Sequence, residues 1–386
     1  MAKLELIATA AFGLEAVVAH ELKQLGYNNT KVENGRVTFV ANEQAICHTN
    51  LWLRSAERVL LKVGEFKATT FEELFQQTKA LPWTELLPVD ANFPVEGKSI
   101  KSKLFSVSDC QAIVKKAIVE KMKEVYGLEW FTETGPKFTV EVALLKDVVT
   151  LTIDTSGAGL HKRGYRKLTG KAPIKETLAA AMVMLSYWNA DRILLDPLCG
   201  TGTIPIEAAL IGQNIAPGLT RNFAAEEWPW IPKKIWQEQR RAAHKEARYD
   251  LPLKIIGSDI DKEALSMARY HAGEAGVDEF VSFQPMDVAN LSTKKKYGCI
   301  ICNPPYGERL KERPEVELLY QQMGKAFLPL DTWSYYIITS NTDFEKHFGK
   351  KADKKRKVYN GRIRCDYYQY FGPRPPKRNE SPEQDK

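Results

Sequence analysis

Several features that define other classes of protein are missing from this sequence or scarce in it. No apolar run is long enough to cross a bilayer, and residues Met1–Ile7 contain neither a secretory hydrophobic region nor a cleavage site. The six cysteines are scattered over 386 residues, which argues against a disulfide framework. Cys299 and Cys302 have a C-x-x-C spacing, but no second pair accompanies them and both lie on an apolar strand. We therefore expect a cytoplasmic protein without a membrane span, a disulfide framework or a metal site.

The chain divides into segments of different character, and its length suggests two or three domains. Residues 1–155 alternate short strands with amphipathic helices, the pattern of an α+β module. Residues 156–172 are rich in glycine and basic residues and are predicted to form a linker. From residue 190 onward, short apolar strands alternate with helices, which predicts a mostly parallel, doubly wound α/β sheet. The polar, Pro-rich residues 372–386 are predicted to be disordered.

The strongest local signal is a glycine-containing loop that follows the predicted buried strand Ile193–Leu195. The loop reads Asp196-Pro197-Leu198-Cys199-Gly200-Thr201-Gly202-Thr203. Glycines at the carboxyl end of a first strand allow the backbone to approach a ligand closely. The loop has neither the G-x-G-x-x-G spacing nor a Gly-Lys-Thr sequence, so dinucleotide and phosphate binding are weakly supported. Asp196 would attract a cationic ligand and repel a phosphate, although a plain strand-to-helix turn is the alternative.

Carboxylates follow the next two predicted strands. Asp259 comes at the end of a strand, where it could accept hydrogen bonds from ribose hydroxyls. Asp261, two residues later, is better explained as a helix N-cap. Asp287 lies where a third strand would end, and it could contact an adenine amine or be an ordinary loop aspartate.

A third signal is Asn303-Pro304-Pro305-Tyr306, which follows the strand Cys299–Cys302. An exocyclic amine is a poor nucleophile unless its hydrogens are held and its lone pair is aimed. The Asn303 side-chain oxygen and the Pro304 carbonyl offer two acceptors for those hydrogens. The prolines stiffen this backbone, and Tyr306 offers a face on which a flipped base can stack. Taken alone, an Asn-Pro-Pro turn explains the segment equally well.

These signals together resemble a known family. The order of Asp196, the glycine loop, Asp259, Asp287 and the Asn-Pro-Pro-Tyr segment is similar to that of class I S-adenosylmethionine-dependent methyltransferases that act on amines. Three further segments narrow the resemblance to RNA guanine-N2 methyltransferases with a THUMP domain, in particular to the bacterial enzymes of 23S ribosomal RNA: His161–Arg166, Ala172–Glu176 and Asn214–Leu219. A fourth segment, Val358–Arg364, would be the terminal antiparallel hairpin that such methyltransferases carry.

The resemblance covers nearly the whole chain and implies an architecture. Residues 1–44 would be ferredoxin-like elements and residues 45–155 a THUMP RNA-binding domain, together forming an α+β part. Residues 173–371 would be a Rossmann-like methyltransferase domain, whose mostly parallel sheet carries a C-terminal antiparallel hairpin. Because the chain ends soon after that hairpin, we expect a single methyltransferase module. The sequence predicts no oligomeric state.

The motifs and the resemblance together predict roles for individual residues. Asn303, Pro304 and Tyr306 would be catalytic. The residues expected to bind S-adenosylmethionine are Asp196, Cys199, Gly200, Thr201, Gly202, Thr203, Asp259, Ile260, Asp287 and Asn303. The residues expected to contact RNA are His161, Arg163, Tyr165, Arg166, Arg240, Arg241 and Lys245, although the first four could be a solvated charged run and the rest a solubilising helix face. Trp228, Trp230 and Trp236 are predicted to be packed rather than base-stacking.

We therefore expect methyl transfer from S-adenosylmethionine to the N2 amine of a guanine in RNA, with 23S ribosomal RNA as the expected substrate. Transfer RNA is the closest alternative substrate. DNA adenine and a protein glutamine amide present similar planar nitrogens, but the N-terminal resemblance argues against both. A non-catalytic RNA-binding or ribosome-assembly protein is a further alternative, against which the intact Asp196, Asp259 and Asn303 positions argue.

Overall fold

The computed structural model describes residues 3–168, 174–307 and 313–376. The chain folds into two compact units. The first unit comprises Met1–Tyr165 together with Asn214–Arg248, and the second comprises Arg166–Gln213 with Tyr249–Lys386. Part of the predicted linker and of the predicted tail, residues 169–172 and 377–386, lies outside the described residues, as does Pro173 at the predicted start of the methyltransferase domain.

The first unit is built on one seven-stranded mixed sheet of order β2-β3-β1-β4-β7-β6-β5. All pairs are antiparallel except β5 with β6. Its strands are β1 Leu4–Ala10, β2 Thr30–Glu33, β3 Arg36–Ala41, β4 Ala56–Lys67, β5 Val95–Ile100, β6 Val140–Leu145 and β7 Val148–Asp154. Its helices are α1 Glu15–Gln24, α2 Glu43–Trp52, α3 Phe71–Lys79, α4 Trp83–Leu86, α5 Val107–Tyr126 and, from the later segment, α8 Lys233–Glu246.

The insertion Asn214–Arg248 completes the hydrophobic core of the first unit. Trp228 is buried, its ring stacks on Phe138 with 4.8 Å between centroids, and its Nε1 donates to the Lys137 carbonyl at 3.1 Å. Trp236 of α8 is buried against Phe223 in the same core. The predicted packing of the tryptophans is thus confirmed, although the core they complete is that of the N-terminal residues.

The second unit contains a seven-stranded sheet of order β10-β9-β8-β11-β12-β14-β13, in which β8 to β12 are parallel and the last two strands form an antiparallel hairpin. Its strands are β8 Leu194–Asp196, β9 Ile255–Asp259, β10 Val281–Pro285, β11 Cys299–Cys302, β12 Ser334–Thr339, β13 Lys354–Asn360 and β14 Ile363–Tyr370. Its helices are α6 Glu176–Met184, α7 Thr203–Gly212, α9 Lys262–Glu274, α10 Arg313–Phe327 and α11 Phe344–Phe348. The predicted Rossmann-like fold with its terminal hairpin is confirmed.

The strand order determines where a ligand can bind in the second unit. From β8 the chain runs outward through β9 and β10, then returns to place β11 on the other side of β8. In open α/β sheets this switch point leaves a crevice beyond the carboxyl ends of the strands. Both the glycine loop after β8 and the Asn-Pro-Pro-Tyr segment after β11 leave the sheet at this point. Within the described residues, no helix has the length and apolar character needed to cross a membrane.

Candidate active site

The glycine loop is held against the end of β9 by hydrogen bonds from its backbone N–H groups. The Gly200 N–H donates to Asp259 Oδ2 at 2.9 Å, and the Cys199 N–H donates to the Ser258 carbonyl at 3.0 Å. Gly200 and Gly202 have φ angles of +50° and +82°, which glycine adopts without strain. A side chain at Gly202 would place Cβ 2.9 Å from the Phe283 ring, so this position requires glycine on steric grounds as well.

The loop residues expected to bind the cofactor are mostly covered by protein. Cys199, Thr201 and Thr203 are buried, and Thr203 is the first residue of α7. The Thr201 carbonyl lies 3.3 Å from Nδ1 of the buried His271 on α9. We infer that this loop would contact a ligand chiefly through its backbone, which the sequence pattern alone does not indicate.

Asp196 lies beneath the loop rather than on its surface. Its side chain is buried, and Oδ1 accepts a hydrogen bond from the Leu198 N–H at 3.2 Å. Burial raises the pKa of this carboxyl well above its usual value, the Leu198 hydrogen bond opposes that shift, and the charge of Asp259 adds to it. Asp196 therefore supports the loop directly, and only its ionised form can act on a ligand through charge.

Asp259 retains the capacity to bind a ribose. Oδ2 accepts from Gly200 and Oδ1 accepts from the Asp261 N–H at 3.0 Å, which leaves each carboxylate oxygen with further lone pairs. The next side chain, Ile260, is 71% exposed at the end of β9 and offers an apolar surface of the kind that an adenine ring packs against. Asp261 is the N-cap of α9, accepting from the Glu263 and Ala264 N–H groups, as predicted.

Asp287 follows β10 by two residues and remains exposed. Its Oδ1 accepts from the Ala289 N–H at 2.9 Å and so caps a short 3-10 helix, Val288–Asn290. This capping bond is the local role expected of a loop aspartate, and an adenine contact stays a prediction. The chemistry of the donor set fits S-adenosylmethionine: a backbone cradle, a carboxylate for the ribose and an exposed aliphatic side chain beside it.

The Asn303-Pro304-Pro305-Tyr306 segment brings its polar groups together. Asn303 is half-buried, Pro304 is buried, and the Tyr306 hydroxyl donates to Asn303 Oδ1 at 2.7 Å. The Pro305 carbonyl accepts from the Tyr320 hydroxyl of α10 at 2.8 Å, and that hydroxyl also lies 2.9 Å from Thr339 Oγ1. The segment is therefore fixed to α10 and β12 as well as stiffened by its prolines.

Two residues of this site were not identified from the sequence. Asn360, the last residue of β13, donates from Nδ2 to the Tyr306 hydroxyl at 3.2 Å, and Tyr320 anchors the Pro305 carbonyl. Burial raises the pKa of the Tyr306 hydroxyl, with a further upward contribution from Cys365 on β14 and an opposing one from Asn360. Tyr306 therefore stays a neutral hydrogen-bond donor, and its hydroxyl has a function beyond the stacking face that the sequence suggests.

Four residues expected to contact RNA from the linker are engaged within their own units. In the first unit, Arg163 is buried, and its guanidinium donates to the carbonyls of Leu160 and Arg54. Tyr165 is also buried. His161 Nδ1 lies 3.7 Å from Glu57 Oε2. In the second unit, Arg166 binds the buried Glu176 and the Ile174 carbonyl. The burial of Arg163 and Tyr165 and the internal hydrogen bonds of Arg163 and Arg166 give these residues structural roles, so we do not propose them as RNA contacts.

The basic residues of α8 fall on two faces. Arg240 is directed into the first unit, where its guanidinium binds three backbone carbonyls and Glu226. Arg241 and Lys245 are exposed. The structure therefore separates a structural arginine from two residues that remain available to a polyanion.

The fold and the site define a class I methyltransferase joined to an α+β domain. Family models identify the same parts: a ferredoxin-like domain of the RlmL type over residues 5–60, a THUMP domain over 68–154 and an RMKL-like methyltransferase domain over 163–369. The chain belongs to this family of RMKL-like methyltransferases. The ferredoxin-like match extends to residue 60, beyond the boundary at residue 44 expected from the sequence.

Several relatives align with nearly the full length of the chain. YpsC of Bacillus subtilis (strain 168), named as a candidate RNA methyltransferase, is 54% identical over 383 residues, with 99% of each chain covered. A crystal structure from Listeria monocytogenes, named as a predicted N6-adenine-specific DNA methylase, is 56% identical with a TM-score of 0.93, covering 97% of each chain. The structure of SMU.472, a candidate methyltransferase in complex with S-adenosylhomocysteine, is 48% identical with a TM-score of 0.93, covering 97% of this chain and 100% of the other.

Proposed function

We propose that this protein transfers a methyl group from S-adenosylmethionine to the exocyclic N2 amine of a guanine in RNA, with 23S ribosomal RNA as the substrate. The observation that carries the proposal is the position of Asn303. Asn303 is the first residue after β11, and β11 pairs in parallel with β8, which leads directly into the glycine loop. A methyl donor on that loop and an amine on Asn303 would therefore share one crevice.

Several observations support S-adenosylmethionine as the methyl donor. The glycine loop and Asp259 provide a backbone cradle and a ribose acceptor, and the relative SMU.472 was solved with S-adenosylhomocysteine, the demethylated product of that cofactor. When ionised, Asp196 places negative charge beneath the loop, which suits a cationic sulfonium and disfavours phosphate. When bound, the cofactor supplies an electrophilic methyl group.

The protein's part in the reaction is to orient the amine. Asn303 Oδ1 and the Pro304 carbonyl accept the two amine hydrogens, which directs the nitrogen lone pair out of the base plane toward the methyl group. The glycine loop and Asp259 would hold the cofactor, and transfer of its methyl group to the oriented amine would break the S–C bond, leave that bond's electron pair on sulfur and place the positive charge on nitrogen. The nitrogen then loses a proton, and because this loss can follow methyl transfer, no strong general base is required.

The first unit supports RNA as the substrate. Its residues 68–154 match the THUMP domain, and the relative YpsC is named for RNA. At one end of its sheet, exposed lysines lie at the end of β4 and in the connections that follow β5 and β6, and the connection after β5 also carries Phe105, which is 82% exposed. These lysines are Lys67, Lys101, Lys103 and Lys146. Hydrogen bonds from Lys103 N–H to Asp147 Oδ1 and from Lys146 N–H to the Ile100 carbonyl hold these loops together. Exposed cations and an exposed aromatic ring at one end of a sheet suit a single-stranded nucleic acid.

A methyl group on adenine N6 of DNA is the second candidate, because the Listeria relative is named for that reaction and the amine clamp fits any planar exocyclic amine. Both candidates share the site, so only the product distinguishes them. The test measures single-turnover methyl transfer to ribosomal RNA, to transfer RNA and to duplex DNA. Nucleoside mass spectrometry then identifies the methylated base in each substrate. N2-methylguanosine from 23S RNA alone is the expected result. A methyl group on a ring nitrogen, a ribose oxygen or a carbon would contradict the amine clamp.

The role of Asn303 is tested by a pair of substitutions. Asn303→Ala removes the side-chain acceptor, so the methyl-transfer rate should fall by about a hundredfold or more while cofactor affinity stays near normal. Asn303→Asp retains an acceptor and should therefore keep more activity than Asn303→Ala. If the alanine variant were as fast as the wild type, the clamp would be wrong.

A further inference from the structure

The terminal hairpin of the second unit reaches the Asn303 segment through one residue. Asn360 ends β13 and pairs with Ile363 of β14 across the two-residue turn Gly361-Arg362. From there its Nδ2 donates to the Tyr306 hydroxyl at 3.2 Å, and that hydroxyl donates to Asn303 Oδ1 at 2.7 Å. Residues 303, 306 and 360 thus form one chain of hydrogen bonds.

The direction of this chain follows from the number of hydrogens. A tyrosine hydroxyl has a single hydrogen, and because Asn360 donates to its oxygen, that hydrogen is directed to Asn303. Asn303 Oδ1 then accepts the Tyr306 hydrogen through one of its two lone pairs, and the second lone pair can accept a hydrogen from a substrate amine. Donation by Asn360 also polarises the hydroxyl, which strengthens its bond to Asn303.

We propose that Asn360 is a positioning residue for methyl transfer, acting through the Tyr306 hydroxyl to fix the orientation of the Asn303 amide. The inference rests on the proposed function, in which Asn303 receives the amine. The Asn303 segment is then held at two points: Tyr320 fixes its backbone at the Pro305 carbonyl, and the hairpin fixes its side chains. The hairpin is part of the catalytic apparatus as well as the edge of the sheet.

Two substitutions separate positioning from a purely structural role. Asn360→Leu keeps a similar volume and removes the donor. Asn360→Asp keeps the shape and suits the turn equally well, but it offers the Tyr306 hydrogen a competing charged acceptor. Positioning predicts that both lower kcat by about tenfold, the scale of one hydrogen bond, with little change in KM for cofactor or RNA. A structural role predicts that Asn360→Asp stays near wild type. Ile363→Thr, in the cross-strand partner, is the matched control and should retain the wild-type kcat.

A double-mutant cycle tests the route through Tyr306. Tyr306→Phe removes the hydroxyl and should also cost about tenfold, since it breaks the same chain of hydrogen bonds. Asn360→Leu in that background should cost nothing further. Multiplicative losses, or wild-type activity of Asn360→Asp, would overturn the proposal.

The readouts keep this proposal distinct from the proposed function. The rates are scored as methyl incorporated into RNA, whichever base accepts it, so a product other than N2-methylguanosine would refute the base assignment and leave the cycle interpretable. A second readout needs no activity. In the protein without cofactor, the NMR signals of the Asn303 side-chain amide, identified by their loss in Asn303→Asp, should shift in both Asn360→Leu and Tyr306→Phe. Unshifted signals would overturn the positioning role.

Discussion

Two adjacent arginines on one helix provide a sharp test of how the first unit is assembled. Arg240 and Arg241 both lie within α8, but Arg240 is only 23% exposed at its side chain, whereas Arg241 is exposed. Because the two residues are neighbours in the middle of the same helix, replacing either by alanine changes helix propensity equally. Any difference in stability between Arg240→Ala and Arg241→Ala therefore reports the contacts of the side chain.

The expected cost of Arg240→Ala can be estimated from its hydrogen bonds. The guanidinium donates to the carbonyls of Gly218 at 3.3 Å, Leu219 at 2.9 Å and Arg221 at 2.7 Å, and to Glu226 at 2.6 Å. Hydrogen bonds that involve a charged group contribute roughly 1.5–3 kcal/mol each when fully desolvated. Water can reach this partly exposed site and replace some of them, so we expect a net loss of about 3 kcal/mol. For a unit of this size the melting temperature should fall by about 6–12 °C.

Thermal unfolding followed by circular dichroism measures the stability, and filter binding to ribosomal RNA at several salt concentrations measures the interaction. Arg241→Ala should leave the melting temperature within about 2 °C, because surface substitutions cost at most about 0.5 kcal/mol. The combined Arg241→Ala and Lys245→Ala variant should weaken RNA binding and reduce its salt dependence, because two phosphate contacts are lost. Equal stability losses for Arg240→Ala and Arg241→Ala would refute the division of α8 into a structural and an exposed face.

Three further results are expected in the second unit. Asp259→Ala should weaken S-adenosylmethionine binding in calorimetry by about tenfold or more, since a charge-assisted acceptor is lost, and unchanged affinity would falsify the ribose assignment. Burial raises the pKa of Asp196 in the folded state, so the stability that its protonated form contributes is complete below the unfolded pKa and is lost as pH rises through the folded pKa. Cofactor binding needs the ionised form and should instead weaken as pH falls through the folded pKa. In a pH series, Asp196→Asn should show neither trend. Gly202→Ala should cost about 1–3 kcal/mol in thermal unfolding, because its φ is +82° and its Cβ would meet Phe283, whereas Gly200→Ala, with nothing within 4 Å, should cost less.

The parts of the fold that follow from local pattern could be predicted. The short apolar strands Leu194–Asp196 and Cys299–Cys302 are buried throughout, so they carry the continuous hydrophobic signal of a parallel sheet. The destination of Asn214–Arg248 could not be predicted, because the helical pattern of α8 shows that one face is apolar but not which core it joins. The partner of Trp228 is Phe138, ninety residues earlier in the chain, and no local rule connects them.

The candidate site likewise has features that follow from the predicted strands and features that depend on contacts between distant residues. Asp259 and Asn303 follow buried strands, and parallel strands bring their carboxyl ends to one edge, so their proximity to the glycine loop is a consequence of topology. The burial of Arg163 and Tyr165 does not follow from the sequence, because a Gly-rich basic segment has no periodicity that indicates which side chains are buried. The hydrogen bond from Asn360 to Tyr306 does not follow from the sequence either, because it joins residues 54 positions apart through side chains alone.

The composition of the two units decides how a catalytic fragment must be designed. A fragment that simply begins near Ala158 would retain Asn214–Arg248 but lose the strands against which its tryptophans pack, so it would expose an apolar surface. The second unit instead consists of Arg166–Gln213 and Tyr249–Lys386, and the Gln213 side chain donates to the Leu251 carbonyl at 2.8 Å, so the two segments lie close together where the insertion leaves. A short Gly-Ser linker between them should give a monodisperse fragment that binds S-adenosylmethionine by calorimetry as the full chain does, yet has lost most RNA affinity in filter binding. Full RNA affinity in the linked fragment would refute the assignment of RNA binding to the first unit. If the linked fragment aggregated and the fragment beginning near Ala158 did not, the assignment of Asn214–Arg248 to the core of the first unit would be wrong.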